Sequence, residues 1–126
     1  MHEDLLPFNV IIDNQKAVFI DWEYGGILPY PMMLARLIAH TKDDPNYFFF
    51  MEEKTYNFAI DYYYKGLTEF YNISRSEYDE VIDAFSFYEL IEWIYVYNKY
   101  GKAKDERYAY YFDKASNLAK KLLKQD

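Results

Sequence analysis

Four residues near the start of the sequence have types and a spacing that could do chemistry together: His2, Asp4, Asn9 and Asp21. A carboxylate can orient an attacking hydroxyl group, and carboxylate and amide oxygens are ligands that Mg²⁺ prefers. The loop carrying Asp4 and Asn9 could therefore point one side chain at a substrate and the other at a metal ion. A hairpin pattern follows this loop and would return Asp21 to the same place.

The segments H-E-D-L-L-P-F-N (residues 2–9) and I-D-W-E (residues 20–23) resemble the aminoglycoside phosphotransferase and choline kinase-like family. That family usually has H-G-D-L-H-P-x-N and then I-D-W-E-x-x-x-x-x-D-P. The resemblance covers residues 2–35 position by position, and the later helices match only in kind. Glu3 replaces the usual Gly, Leu6 replaces the second His, and Met33 replaces an Asp that is mainly structural in the family.

The resemblance implies a role for each residue of the motif. Asp4 would be the catalytic base or hydroxyl-orienting residue, Asn9 and Asp21 would bind magnesium, and His2 would brace the metal loop. ATP or GTP would be the phosphoryl donor, and a small alcohol would be the acceptor. A plainer interpretation stays open, in which Asp4 and Asn9 cap a loop and Asp21 ends a strand.

A second group of residues could contact the acceptor. Glu89, Glu92 and Trp93 share one face of a predicted helix, and Glu23 follows the metal loop. Carboxylates beside aromatic rings favour a cationic alcohol or amino sugar, through ion pairing and cation–π contacts. The alternative is that Trp93 belongs to the core and the glutamates form a solvated strip.

Composition excludes several classes of function. The sequence has no cysteine and two histidines, which argues against disulfides, thiolate chemistry and a zinc site. Its net charge is -7, and residues 102–126 hold seven Lys/Arg against four Asp/Glu, so the acidic part is residues 1–101. This balance disfavours nucleic acid and favours a cationic ligand. With no long apolar run and an acidic start, we expect a cytoplasmic protein without membrane segments.

The elements that must position these residues are mainly helical. A length of 126 residues suits one core. Two β-branched runs around residues 13–16 predict a hairpin, and Pro31 precedes a helix over residues 32–40. A second helical region is predicted from residues 43–45 to about Gly66 or Tyr71, in one piece or two. A capping box at Ser74 opens a helix that ends at Gly101. After Phe85 this helix is apolar nearly all round, with Ser86, Glu89 and Glu92 as its polar strip, so we expect it to be the buried central helix. An amphipathic helix covers residues 105–124.

We therefore expect a mainly α protein with a small β-hairpin (α+β). The resemblance implies that this is the C-terminal lobe of a protein-kinase-like fold. Residues 1–30 would form the catalytic loop, hairpin and metal loop, and residues 31–126 the helical substrate-binding part. Because the resemblance implies a nucleotide-binding lobe before His2, the chain is predicted to be a fragment, a truncated reading frame or one piece of a split protein, inactive alone. The alternative is a non-catalytic helical interaction module with a relic motif, able to self-associate through the surface that the lobe would cover.

Overall fold

The computed structural model describes residues 4–23, 25–102 and 104–123. The described residues form a mainly helical structure with one small hairpin at its N-terminal end, in agreement with the predicted fold class. A 3-10 turn spans Pro7–Asn9, strands β1 and β2 span Val10–Asp13 and Lys16–Phe19, and four helices follow: α1 (Met32–His40), α2 (Glu53–Thr68), α3 (Arg75–Lys99) and α4 (Glu106–Leu123).

The predicted hairpin is confirmed, with a tighter turn than the four residues proposed for it. β1 pairs antiparallel with β2, from Val10 opposite Phe19 to Asp13 opposite Lys16. Asn14 and Gln15 form the turn, and both have positive φ angles, 43° and 71°. Two successive residues of this kind match the twist of the flanking strands. The hairpin thus brings residue 20 back beside Asn9, where the Ile20 amide donates to the Asn9 carbonyl at 3.0 Å.

α3 is the central helix, as predicted, because it packs against both α1 and α4. The capping box is present: the Ser74 hydroxyl accepts from the Glu77 amide, and the Glu77 carboxylate accepts from the Ser74 amide. The helix ends at Lys99, just before Gly101, which has a φ of 68°. α4 begins at Glu106, one residue later than predicted.

The prediction of a helix starting at residues 43–45 was wrong. The chain turns there instead, and Lys42 and Phe50 form an isolated parallel β-bridge. Tyr47 and Phe49 bury their rings, 8% and 9% exposed, in a cluster with Leu6. Burying apolar rings outweighs the weak helix propensity of the segment. α2 begins only at Glu53, and it continues through Gly66 as a single helix.

The polar strip expected along α3 does not face solvent throughout. Ser86 and Glu89 are each 3% exposed, whereas the large apolar residues Tyr88, Ile91 and Tyr95 are 45–63% exposed. α3 is therefore not buried all round, and part of its polar strip is turned into the protein. None of the helices in the described part of the chain has the length and hydropathy needed to cross a lipid bilayer.

Candidate functional site

Asp4 and Asn9, two of the residues singled out in the sequence, lie in direct contact. The Asn9 side-chain amide donates to the backbone carbonyl of Asp4 at 2.9 Å and to its Oδ2 at 2.8 Å. Asn9 is 4% exposed, at the end of the 3-10 turn that leads into β1. Since its NH₂ group is used on Asp4, its carbonyl oxygen is the atom that could serve as a ligand. The two hydrogen bonds from Asn9 to Asp4, five residues apart, thus close the loop of residues 4–9.

Arg36, on α1, joins this loop to the central helix. Its Nε and Nη2 lie 2.7 and 2.6 Å from Asp4 Oδ1, and its Nη1 lies 3.1 Å from Glu89 Oε2. The guanidinium is mostly buried, with 16% of the side chain exposed. One cation therefore compensates two carboxylates, and this explains how Glu89 can be buried on α3.

His40 continues the polar network at the other end of α1. Its Nδ1 lies 2.8 Å from the Tyr111 hydroxyl, and its Nε2 lies 3.7 Å from Glu89 Oε2. Burial lowers the pKa of His40, and the nearby Arg36 acts in the same direction while Glu89 opposes both. The imidazole is therefore held in its neutral form at neutral pH. Asp4, Arg36, Glu89, His40 and Tyr111 form one continuous chain of polar side chains, which we call the polar chain.

A cavity of about 250 Å³ opens beside the polar chain. Most of its lining is aromatic, from four different parts of the protein: Phe8, Phe48, Phe49, Trp93, Tyr97 and Tyr111. Its charged lining consists of Asp4, Arg36 and Arg107. The Arg36 guanidinium carbon lies 5.8 Å from the centre of the Trp93 ring, and that of Arg107 lies 5.6 Å from the Tyr97 ring.

The Arg107 guanidinium is fixed by its neighbour on the chain. Its Nε and Nη2 donate to the two carboxylate oxygens of Asp105 at 3.0 and 2.9 Å. These hydrogen bonds hold the pKa of Asp105 low, at about 2, and raise that of Arg107. Both groups are therefore charged at neutral pH, and the guanidinium stays at the cavity wall.

The other predicted site residues are less closely associated with Asp4 than Asn9 is. Asp21 is exposed, with a φ of 60°, one residue beyond the hydrogen bond that joins Ile20 to Asn9. Glu23 and Glu92 are exposed. Trp93 is half-buried and lines the same cavity as Asp4. The predicted brace, His2, lies outside the described residues.

The donors present fit a magnesium ion better than a softer metal. Among the described residues, no three His, Cys, Asp or Glu side chains are grouped so that they could hold a metal by themselves. Magnesium does not need such a cage, because it commonly takes one or two protein oxygens and completes its shell with water and phosphate oxygens. The Asn9 carbonyl oxygen and the Asp21 carboxylate are donors of that kind.

Sequence reasoning missed Arg36, Arg107 and Tyr111. Arg36 did leave a signal, since it is the one charged residue before His40 in the apolar segment M-M-L-A-R-L-I-A-H of α1. A lone arginine in such a helix needs a buried anionic partner. For Tyr111 the pattern showed only an amphipathic helix, because its partner His40 lies 71 residues away in the sequence. Arg107 has its partner Asp105 close by, but most of the other residues that line the cavity lie far away in the sequence.

The chain was compared with protein-family models, with curated proteins and with solved structures, and none of the three comparisons found a match.

Proposed function

We propose that this chain is the C-terminal catalytic lobe of a small-molecule kinase of the aminoglycoside phosphotransferase and choline kinase-like type. It would transfer the γ-phosphoryl group of ATP or GTP to a hydroxyl group of a small acceptor. The single observation that carries the proposal is the contact between Asn9 and Asp4, because a carboxylate that lines a cavity then has beside it a side chain whose oxygen could bind a metal.

Asp4 would act on the acceptor hydroxyl. Arg36 binds Oδ1 through two nitrogens, and Asn9 donates to Oδ2, so the carboxylate is held in one orientation. A carboxylate oxygen offers about two lone-pair sites. Oδ2 can therefore accept a further hydrogen bond from a substrate hydroxyl while keeping its bond from Asn9. Fixing the orientation in advance is how a positioned carboxylate contributes to phosphoryl transfer.

In the proposed reaction the acceptor oxygen forms a bond to the γ-phosphorus, and the bond from that phosphorus to the nucleoside diphosphate oxygen breaks. The proton of the acceptor hydroxyl passes to Asp4, and the nucleoside diphosphate leaves. Magnesium held by Asn9 and Asp21 would neutralise phosphate charge when it is bound. Glu89 contacts Arg36 and is not itself one of the lining residues, so its role in this proposal is to position Arg36.

Metal binding at Asn9 and Asp21 tests the proposal, because it can be measured without catalytic turnover. Mn²⁺ can replace Mg²⁺ as a paramagnetic probe, and it broadens the amide NMR signals of residues close to it. We expect selective broadening at Asn9 and Asp21, competed by Mg²⁺. Asp21→Asn should weaken the Mn²⁺ affinity at least fivefold, and the matched control Glu80→Gln, an exposed carboxylate on α3, should leave it unchanged. Broadening spread evenly over the acidic surface, or unaffected by Asp21→Asn, would contradict the proposal.

A second function, a helical module that associates with a second copy of itself, is favoured by the exposed hairpin. Ile11, Ile12 and Val18 are 52%, 69% and 50% exposed. A two-stranded hairpin is marginally stable by itself, and exposed apolar side chains on it can pack against another copy of the same chain. Sedimentation should show a dimer that Ile12→Lys dissociates, with Phe70→Lys as the exposed control on another surface. A monomer at high concentration would contradict this second function.

A further inference from the structure

We infer that the cavity beside Asp4 selects a small uncharged alcohol with an apolar body, and not the cationic acceptor that the acidic sequence suggests. This inference rests on the proposed function, since it names the class of acceptor that Asp4 would act on. It follows from three features of the cavity: the charges in its wall, the occupied ring faces and its volume.

The charges in the wall oppose a cation. Among the described residues, two guanidinium groups, those of Arg36 and Arg107, line the cavity, against the one carboxylate of Asp4. Both oxygens of that carboxylate already accept hydrogen bonds from the protein. The carboxylates of Glu89 and Asp105, which pair with these guanidiniums, are not among the described lining residues, so the charged groups that a cation would contact in the wall are the two guanidiniums and Asp4. In a partly desolvated site, like charges at close range repel strongly.

Two of the aromatic ring faces in the cavity wall, those of Trp93 and Tyr97, are also already in use. Recognition of a quaternary or primary ammonium by aromatic rings needs the cation over the ring face. Arg36 lies over Trp93 and Arg107 lies over Tyr97, each within 6 Å of the ring centre. At these two rings an acceptor cation would have to displace a guanidinium that is paired with a carboxylate. Apolar groups have no such competitor, and they can pack against Phe48, Phe49 and Leu6.

The volume limits the acceptor's size. The cavity measures about 250 Å³, below the roughly 300–1,000 Å³ of pockets that enclose drug-sized ligands. A multi-ring amino sugar would therefore extend out of it. A small alcohol could enter completely and place its hydroxyl group beside Asp4 Oδ2.

A pair of probes that differ only in charge tests the inference on the chain as it is. Choline and 3,3-dimethylbutan-1-ol have the same shape and the same hydroxyl group, and a quaternary carbon replaces the quaternary nitrogen in the second. Titrations followed by amide and indole NMR signals give the dissociation constant of each probe. We expect the neutral alcohol to bind at least tenfold more tightly, with the largest shifts at Trp93 and Tyr97. Equal affinities, tighter binding of choline, or no binding of the alcohol at these residues would overturn the inference.

Variants of Arg107 test whether charge is the cause. Arg107→Gln removes the positive charge at the wall and leaves Asp105 without its partner, so choline should bind at least fivefold more tightly while the alcohol binds as before. The matched control Arg107→Lys keeps the charge and should keep the preference. A preference that survives Arg107→Gln unchanged would overturn the electrostatic argument.

A matched pair of variants tests whether the alcohol binds in the cavity. Phe48 lines the cavity at 73% exposure, and Phe58 lies on α2 at 65% exposure outside it. Phe48→Ala should weaken binding of the alcohol severalfold, and Phe58→Ala should not. Equal effects of the two variants would overturn the assignment of the cavity as the binding site.

These results separate the inference from the proposed function. If choline is preferred while Mn²⁺ binds at Asn9 and Asp21, the inference fails and the proposed function stands. If the alcohol binds in the cavity but no metal binds at those two residues, the cavity keeps its ligand class and the phosphotransfer proposal fails.

Discussion

The guanidinium of Arg36 contacts the carboxylate of Asp4 at 2.6 and 2.7 Å, although 32 residues separate the two in the sequence. Through its remaining nitrogen the same guanidinium contacts Glu89 on α3. This arrangement ties the loop before the hairpin to two helices that meet in the core. The orientation of Asp4 therefore depends on α1 and α3 as much as on its own loop.

Removing Arg36 alone should destabilise the protein strongly. Arg36→Met leaves Glu89, 3% exposed, without its cation, and breaking a buried pair in this way costs about 3 kcal/mol. Replacing both Arg36 and Glu89 by apolar residues removes the buried charge of Glu89 together with its cation. We therefore expect the double variant Arg36→Met/Glu89→Leu to be more stable than Arg36→Met in urea unfolding.

The exposed pair of Arg75 and Asp61 provides the control for that experiment. Both side chains are about half exposed or more, so Asp61→Asn should change the free energy of unfolding by less than about 1 kcal/mol. A double variant that unfolds more easily than Arg36→Met would show that the ion pair is not the source of the effect.

Lys114 should make stability depend on pH. Its ammonium group donates to the carbonyls of Ile38, Ala39 and Thr41 at the end of α1, and burial lowers its pKa from 10.5 to about 8. Between these values the unfolded chain binds more protons than the folded chain. Stability should therefore rise as pH increases from about 8 toward 10.5, by up to about 3 kcal/mol from this group.

The comparison with Lys114→Met isolates that contribution, because tyrosine ionisation above pH 10 affects both proteins. We expect the difference in unfolding free energy between wild type and variant to grow in favour of wild type from pH 8 to 9.5. A difference that stays constant over this range would mean that Lys114 is not titrating there. At pH 7 the variant leaves three carbonyls without this donor and should lose about 1–3 kcal/mol.

The hairpin turn can be improved by one substitution. Gln15 has a φ of 71°, a conformation that glycine adopts without strain and other residues adopt with difficulty. Gln15→Gly would create the Asn-Gly pair that two-residue hairpin turns prefer. We expect stabilisation of about 0.5–1 kcal/mol, seen as slower amide exchange in β1 and β2. The control Gln15→Ala should give no stabilisation, and protection equal to that of Gln15→Gly would contradict the role of φ.

The capping box at the start of α3 should contribute to the stability of the whole domain. Ser74→Ala removes the hydroxyl that accepts from the Glu77 amide and should cost about 1 kcal/mol in urea unfolding. Hydrogen bonds from Ser74 lower the pKa of Glu77. The contribution of Glu77 is therefore present above pH 4.5 and is lost as the pH falls through its folded value. Glu77→Gln should be less stable than wild type at pH 7, and the gap should narrow in acid; a gap that does not change with pH would contradict this.

The local secondary-structure elements of this protein can be inferred from short-range sequence patterns. The hairpin, the start of α1, the capping box of α3 and the stop near Gly101 depend on interactions within a few residues, and the printed sequence contains all of them. The contact between Asp4 and Asn9 is of the same kind, since five residues separate them. Short-range signals of this type can be read before any fold is known.

Contacts between side chains that are far apart in the sequence depend on the tertiary structure. Residues 43–50 contain a helix start signal, but the burial of Tyr47 and Phe49 against Leu6 keeps them out of a helix. Glu89 belongs to a strip that looked solvated, and it is buried because Arg36, 53 residues earlier, supplies a cation at that point. The free energy of burying a charge or a ring depends on partners that the local sequence does not contain. For this reason the sequence indicated an acidic site, whereas the packed protein surrounds Asp4 with arginines and aromatic rings.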